Sequence, residues 1–203
     1  SIDDPVRFEK IMATALPALR AFMEDGAFDP VIQEIEQPDV ILWAIWAIQQ
    51  YAKVVGIDKA KELYKDFIDE ALEYIISQKH PGLKVMDSGL LFADGGRDKA
   101  ITWMNSVVNG RPVVPRSGYI VEFNAAWYNA LCFSREMNGE ATNEKIDKLI
   151  SAINISFPNT FVNGYNYLFD YVNGSFVDWS VRPNMIFAVA FDYSPLSQDQ
   201  KKQ

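Results

Sequence analysis

Asp39, Trp43, Trp46 and Gln50 fall within about 60° of one another on a helix of 3.6 residues per turn, so a carboxylate, two indoles and an amide share one face. Such a row suits a sugar-binding wall, because pyranose rings stack on aromatic faces while their hydroxyls need acceptors and donors. The opposite side of the segment carries Ile41, Ile45, Ile48 and Val55, an apolar packing face. A Trp stripe is also common in cores, and Trp46, deeper along the helix, fits that role as well. A second acid raises the same question. In GYIVEFNAAWYNAL, residues 118–131, Glu122 stands among Phe, Trp, Tyr and Asn. An unpaired buried polar group costs roughly 1 to 3 kcal/mol, so Glu122 needs a partner or a task.

Other chemistries lack their residues. One Cys, Cys132, allows no intrachain disulfide, and one His, His80, allows no histidine-rich metal site. Cys132 reads as a small core residue and His80 as a loop residue in QKHPG. The loop DGGRD (94–98) does not match the spacing of a calcium loop, so neither metal nor cofactor is expected. A net charge of −8 with scattered Lys and Arg argues against a nucleic-acid surface and suits a neutral, stackable ligand. No apolar run reaches the length of a membrane span. The opening SIDDPVRFEK has neither a signal peptide's pattern nor an initiator Met, which points to a processed chain or a piece of a longer one.

The elements that must position these residues are helices. Residues 6–23 form an amphipathic stripe that Pro17 should bend, 39–55 are apolar nearly all round, and 58–78 are amphipathic again. The alternation repeats with 124–137 apolar, 142–157 charged and amphipathic, 182–194 apolar, and a further helix starting at Leu196. Little strand is expected. Outer and inner helices alternating as hairpins, without self-similarity at a fixed period, favour an all-α toroid over a solenoid. Inner-to-outer links are short, whereas outer-to-inner links run to roughly 15, 45 and 24 residues. In such an arrangement every long loop gathers where the inner helices begin, which is where a binding site is expected. The inner helices open with EQPD, VEFN and SVRPN. Capping explains Asp39, Asn124 and Pro183 as well as ligand contact does.

ITWMN followed by RPVVPRSGYIVEFNAAWYNAL closely resembles the signature of the glucosidase domain of glycogen-debranching enzymes. VRPNMIFAVAFDYSPL resembles that family's later Arg-Pro-Asn motif, and PDVILWAIWAIQQY its Trp-containing helix. The resemblance implies part of an (α/α)6 toroid, with about three of its six hairpins within residues 1–203 as a single partial domain. It implies amylo-α-1,6-glucosidase activity, which removes with inversion the glucose left at a trimmed glycogen or α-glucan branch point. Asp39 falls on the general acid. Trp43, as its helix neighbour, and Trp103, Arg116, Glu122, Asn124, Trp127, Arg182 and Asn184, as motif positions, are the expected substrate-binding set. Asn105 joins them, although the family usually has Asp there, and an amide can hydrogen-bond but cannot act as acid or base. The general base is expected outside these residues, leaving the isolated chain inactive or nearly so. Exposed flanks of a partial toroid imply self-association. The resemblance also implies a cytoplasmic place in glycogen catabolism. The rivals are a trehalase-like or glucoamylase-like hydrolase of similar architecture and a non-catalytic glycan-binding protein.

Overall fold

The computed structural model of the chain describes residues 4–25, 36–95, 98–139, 141 and 143–202. Its helices are α1 (Pro5–Asp25), α2 (Val40–Val55), α3 (Ile57–Ile76), α4 (Val121–Asn138), α5 (Glu144–Phe161), α6 (Met185–Ala190) and α7 (Gln198–Lys201). The chain is all-α in class, with strands confined to short ribbons. Pro17 is accommodated inside α1. No helix among the described residues is long and apolar enough to cross a membrane.

α4 is the centre of the packing. Every residue from Val121 to Ser134 is buried, because α2 and α3 cover one side, α5 another and α6 a third. α2 and α4 run in the same direction. Near their starts Asp39 feels the charges of Glu122 and Arg116, and further along Asn129 Nδ2 donates to Gln49 Oε1 at 2.7 Å. Ile41, Ile45 and Ile48 are fully buried beneath α2, as the apolar face requires. α1 closes the other flank, where Phe8 stacks on Tyr51 at 4.7 Å.

Two departures from the sequence expectations matter. The long outer-to-inner links hold short ribbons, in keeping with the little strand expected but at places the sequence pattern did not mark: β1 (Leu83–Val85) pairs with β2 (Leu91–Ala93), and β3 (Val107–Val108) with β4 (Arg111–Pro112), both antiparallel. A three-stranded sheet joins β5 (Tyr119–Ile120), β6 (Tyr171–Asn173) and β7 (Phe176–Val177) in that order. The β5–β6 pairing bolts two links together, and it needs a glycine. Gly118 has φ +99°, and a Cβ there would lie 2.4 Å from the carbonyl oxygen of Val172. The second departure is α6, far shorter than the apolar run 182–194. Ser194 Oγ donates to the Ala188 carbonyl at 2.6 Å and Asn129 Oδ1 accepts from the Tyr193 amide at 3.2 Å, so side chains capture backbone groups that a longer helix would pair.

Candidate active site

Asp39 closes the start of α2 without capping it. Its side chain makes no hydrogen bond to the helix amides and instead accepts from Trp43 Nε1, one turn on, at 2.6 Å. With only 6% of its surface exposed, Asp39 is pushed up to about 6 by burial. The Trp43 hydrogen bond works against that rise, while Glu122 adds to it and Arg116 subtracts. A carboxyl raised this far keeps a protonated fraction near neutrality far larger than an ordinary aspartate's, and in that form it can protonate a leaving oxygen. Beside it the Trp43 ring stands nearly perpendicular to Trp46, 5.9 Å away, and 5.2 Å from Phe187 of α6. Both indoles are half-buried and pack against the core. Gln50 leaves the row: it donates to Asp192 Oδ2 at 3.3 Å and accepts from Lys53 at 2.9 Å.

Behind Asp39 lies a buried ionic cluster assembled from two stretches distant in sequence, 116–122 and 170–184. Arg116 grips Glu122 in a fork, Nη1 on Oε1 and Nη2 on Oε2, the latter at 2.7 Å. Its other edge faces Asp170, with Nη2 donating to Oδ1 at 3.0 Å and Nε lying 2.8 Å from Oδ2 as an ion pair without hydrogen-bond alignment. Asp170 also accepts from Arg182 Nη1 at 2.7 Å and from Asn184 Nδ2 at 2.6 Å. Arg182 Nη1 reaches Asp178 at 2.9 Å as well. Burial pushes the Glu122 carboxyl upward and Arg116 pulls it back. Burial works against the Arg116 charge, yet Glu122 and Asp170 hold the guanidinium above its usual value. For Asp178, burial is outweighed by the hydrogen bonds from Ser180 and Arg182, which leave it below the usual carboxylate value. Glu122 therefore has its partner: it anchors an arginine.

The remaining expected residues separate by exposure. Trp103 is 52% exposed, and its Nε1 donates to Asn184 Oδ1 at 2.8 Å, so the cluster orients an indole that faces solvent. Asn105 is half-buried and Arg182 partly so. Trp127 is 0% exposed and donates to the Gly89 carbonyl at 3.1 Å, a core placement with no open ring face. Asn124, also fully buried, is not the N-cap of α4 but lies one turn inside it. Its amide spends itself on Leu91 N at 2.7 Å and on the carbonyls of Leu91 and Ile120, both at 3.0 Å, fastening β2 to α4. Asp170 and Asp178 escaped the sequence reading. Asp170, closing NYLFD, carried the same signal as Glu122, a lone acid in an aromatic run.

His80 is buried and neutral, lowered to about 4 by desolvation, and its Nδ1 accepts from the amides of Gly82 and Leu83 at 3.0 and 3.1 Å. Cys132 is a free, buried thiol. Two residues of DGGRD lie outside the described residues, and among the described residues no group of His, Cys, Asp or Glu could hold a metal ion. A hollow of about 550 Å³ between α3 and α5 holds none of the cluster. Its charges are exposed pairs such as Lys145 with Glu73, which carry little energy.

A helical scaffold, a buried carboxyl with a raised pKa, and indoles near an arginine–carboxylate cluster are features that a carbohydrate-active site would use. The family described as amylo-alpha-1,6-glucosidase matches residues 30–203, and the chain belongs to that family. It is thus a glycoside hydrolase domain of the glycogen-debranching type. No curated protein and no solved structure matches it.

Proposed function

We propose that the chain carries the acid half of an inverting α-1,6-glucosidase site, acting on the single glucose at a trimmed branch point of glycogen or a related α-glucan, within an (α/α)6 toroid. The observation that carries this reading is Asp39: buried, raised to about 6, and set beside Trp43. Asp39 protonates the leaving glycosidic oxygen. Trp43, Trp103, Asn105 and Arg182 offer partly open surface for the sugar, while Arg116, Glu122, Asn124, Trp127 and Asn184 hold that surface in place. Inversion needs a second carboxylate, roughly 6.5 to 9.5 Å from the acid, free to activate water. Glu122, Asp170 and Asp178 are each committed to an arginine, which supports a base contributed from elsewhere and an inactive isolated chain. A cytoplasmic setting belongs to the same reading.

The test is Asp39→Asn in the complete enzyme. Turnover of a branched limit dextrin should fall by about 10² to 10⁴ while glucan binding persists. Unchanged turnover would sink the assignment. A glycan-binding protein without chemistry is the second reading, favoured by the same commitment of the three carboxylates; it predicts sugar binding in a complete protein that has no turnover to lose.

A further inference from the structure

NGYNYLFD, residues 163–170, is a turn rich in aromatic side chains. Tyr165 and Asn166 are exposed and Tyr167 and Phe169 half-buried, whereas Leu168 and Asp170 are buried. Asn163 sets the turn that begins the row: its Oδ1 accepts from the backbone amides of Tyr165 at 2.8 Å and Tyr167 at 3.4 Å, and its backbone N–H donates to the Tyr167 carbonyl at 3.0 Å. Asn166 takes the left-handed conformation at φ 64°. The rings of Tyr165 and Tyr167 consequently lie nearly parallel, 18° apart in plane and 6.4 Å between centroids.

Trp179 crosses the row. Its ring stands at 70° to Tyr165, 71° to Tyr167 and 88° to Phe169, with centroids at 6.3, 6.5 and 4.6 Å. Scattered exposed aromatics need no explanation, but a tryptophan that meets three neighbouring rings does, with Tyr165 78% and Trp179 48% exposed. Chain and charge tie this floor and wall to the candidate active site. Phe169 precedes Asp170, Trp179 follows Asp178, and Arg182 binds both of those carboxylates, at 2.7 and 2.9 Å.

We propose that Tyr165, Tyr167, Phe169 and Trp179 form a glucan-stacking surface that receives glucose units of an α-glucan chain beyond those held at Asp39. It rests on the glucan-active reading of that site and extends it, making the ligand a chain long enough to engage both. The chemistry matches. Aromatic faces take the C–H faces of pyranose rings, and a net charge of −8 turns polyanions away.

Calorimetric titration of the 203-residue chain with maltoheptaose and with maltose tests it, in the wild type and in Tyr165→Ala and Trp179→Ala. Maltoheptaose affinity should fall about tenfold in Trp179→Ala and several-fold in Tyr165→Ala, with any maltose binding unchanged. Tyr165 is too exposed to be needed for folding, so an unaltered melting curve for that variant secures the comparison even if Trp179→Ala unfolds. The proposal is overturned if Tyr165→Ala binds maltoheptaose as the wild type does, or if the wild type binds none. It is equally overturned if both variants only abolish concentration-dependent sedimentation, which would mark a protein contact. Turnover of Asp39→Asn reports on the catalytic reading separately, so either can fail alone.

Discussion

An aspartic acid whose pKa stands at about 6 in the folded chain, against 3.8 when free, takes up a proton on folding between those two values. Its contribution to stability is therefore complete below about pH 4 and is lost as pH rises through 6, a loss on the order of 3 kcal/mol at neutrality. Asparagine carries no such burden. Asp39→Asn should have a higher urea midpoint than the wild type at pH 7.5, and the difference should close near pH 4. Equal midpoints at pH 7.5 would mean that burial is not what raises Asp39. Trp43→Phe removes the hydrogen bond that favours the anion, so it should leave the onset near pH 4 in place, raise the pH at which the gap stops widening, and enlarge the gap itself. A residue that weakens the fold at working pH is what a stability–activity trade-off would leave at the catalytic position proposed for Asp39.

At the scale of elements, the links decide the site. Arg116 lies in one link, Asp170 and Arg182 in another, and Glu122 in the first turn of α4. Arg116→Met would strand buried carboxylates and should cost about 3 to 5 kcal/mol by urea denaturation. Adding Glu122→Gln should recover part of that loss, whereas additive losses would show that the pair is not coupled. Gly118→Ala forces a Cβ against the Val172 carbonyl at a positive φ and should cost about 2 kcal/mol or more. Loss of amide-exchange protection at the β5–β6 pairing would locate the damage there. Hydrophobic pattern located α1, α2, α3 and α5 to within a few residues, since α1, α3 and α5 each have a stripe that faces the core and α2 is apolar nearly all round. It overran α6, because the groups that shorten that helix belong to Asn129 on α4 and to Ser194, a partnership no local pattern records.

For the whole molecule, apolar side chains remain exposed at both flanks of the helix array, Val6 and Ile11 on α1 at 63% and 52%, and Ile186 and Val189 on α6 at 61% and 39%. Self-association through such flanks is the expected consequence. Ile186→Lys with Val189→Lys should leave the melting temperature unchanged and shift sedimentation toward monomer; an unaltered profile would place any contact elsewhere. The sequence by itself determined the helical class, the family and the residues in which a charge sits oddly among aromatics. It could do so because burial imposes periodicity and because an unpartnered charge in an apolar run is costly wherever it falls. Only the tertiary structure decided what each charge does. Asp39 is left with one indole and a raised pKa, Glu122 is neutralised by Arg116, and Asp170, 54 residues from that arginine, turns out to hold the cluster together. Electrostatic partners meet through space, and sequence separation says nothing of which ones will meet.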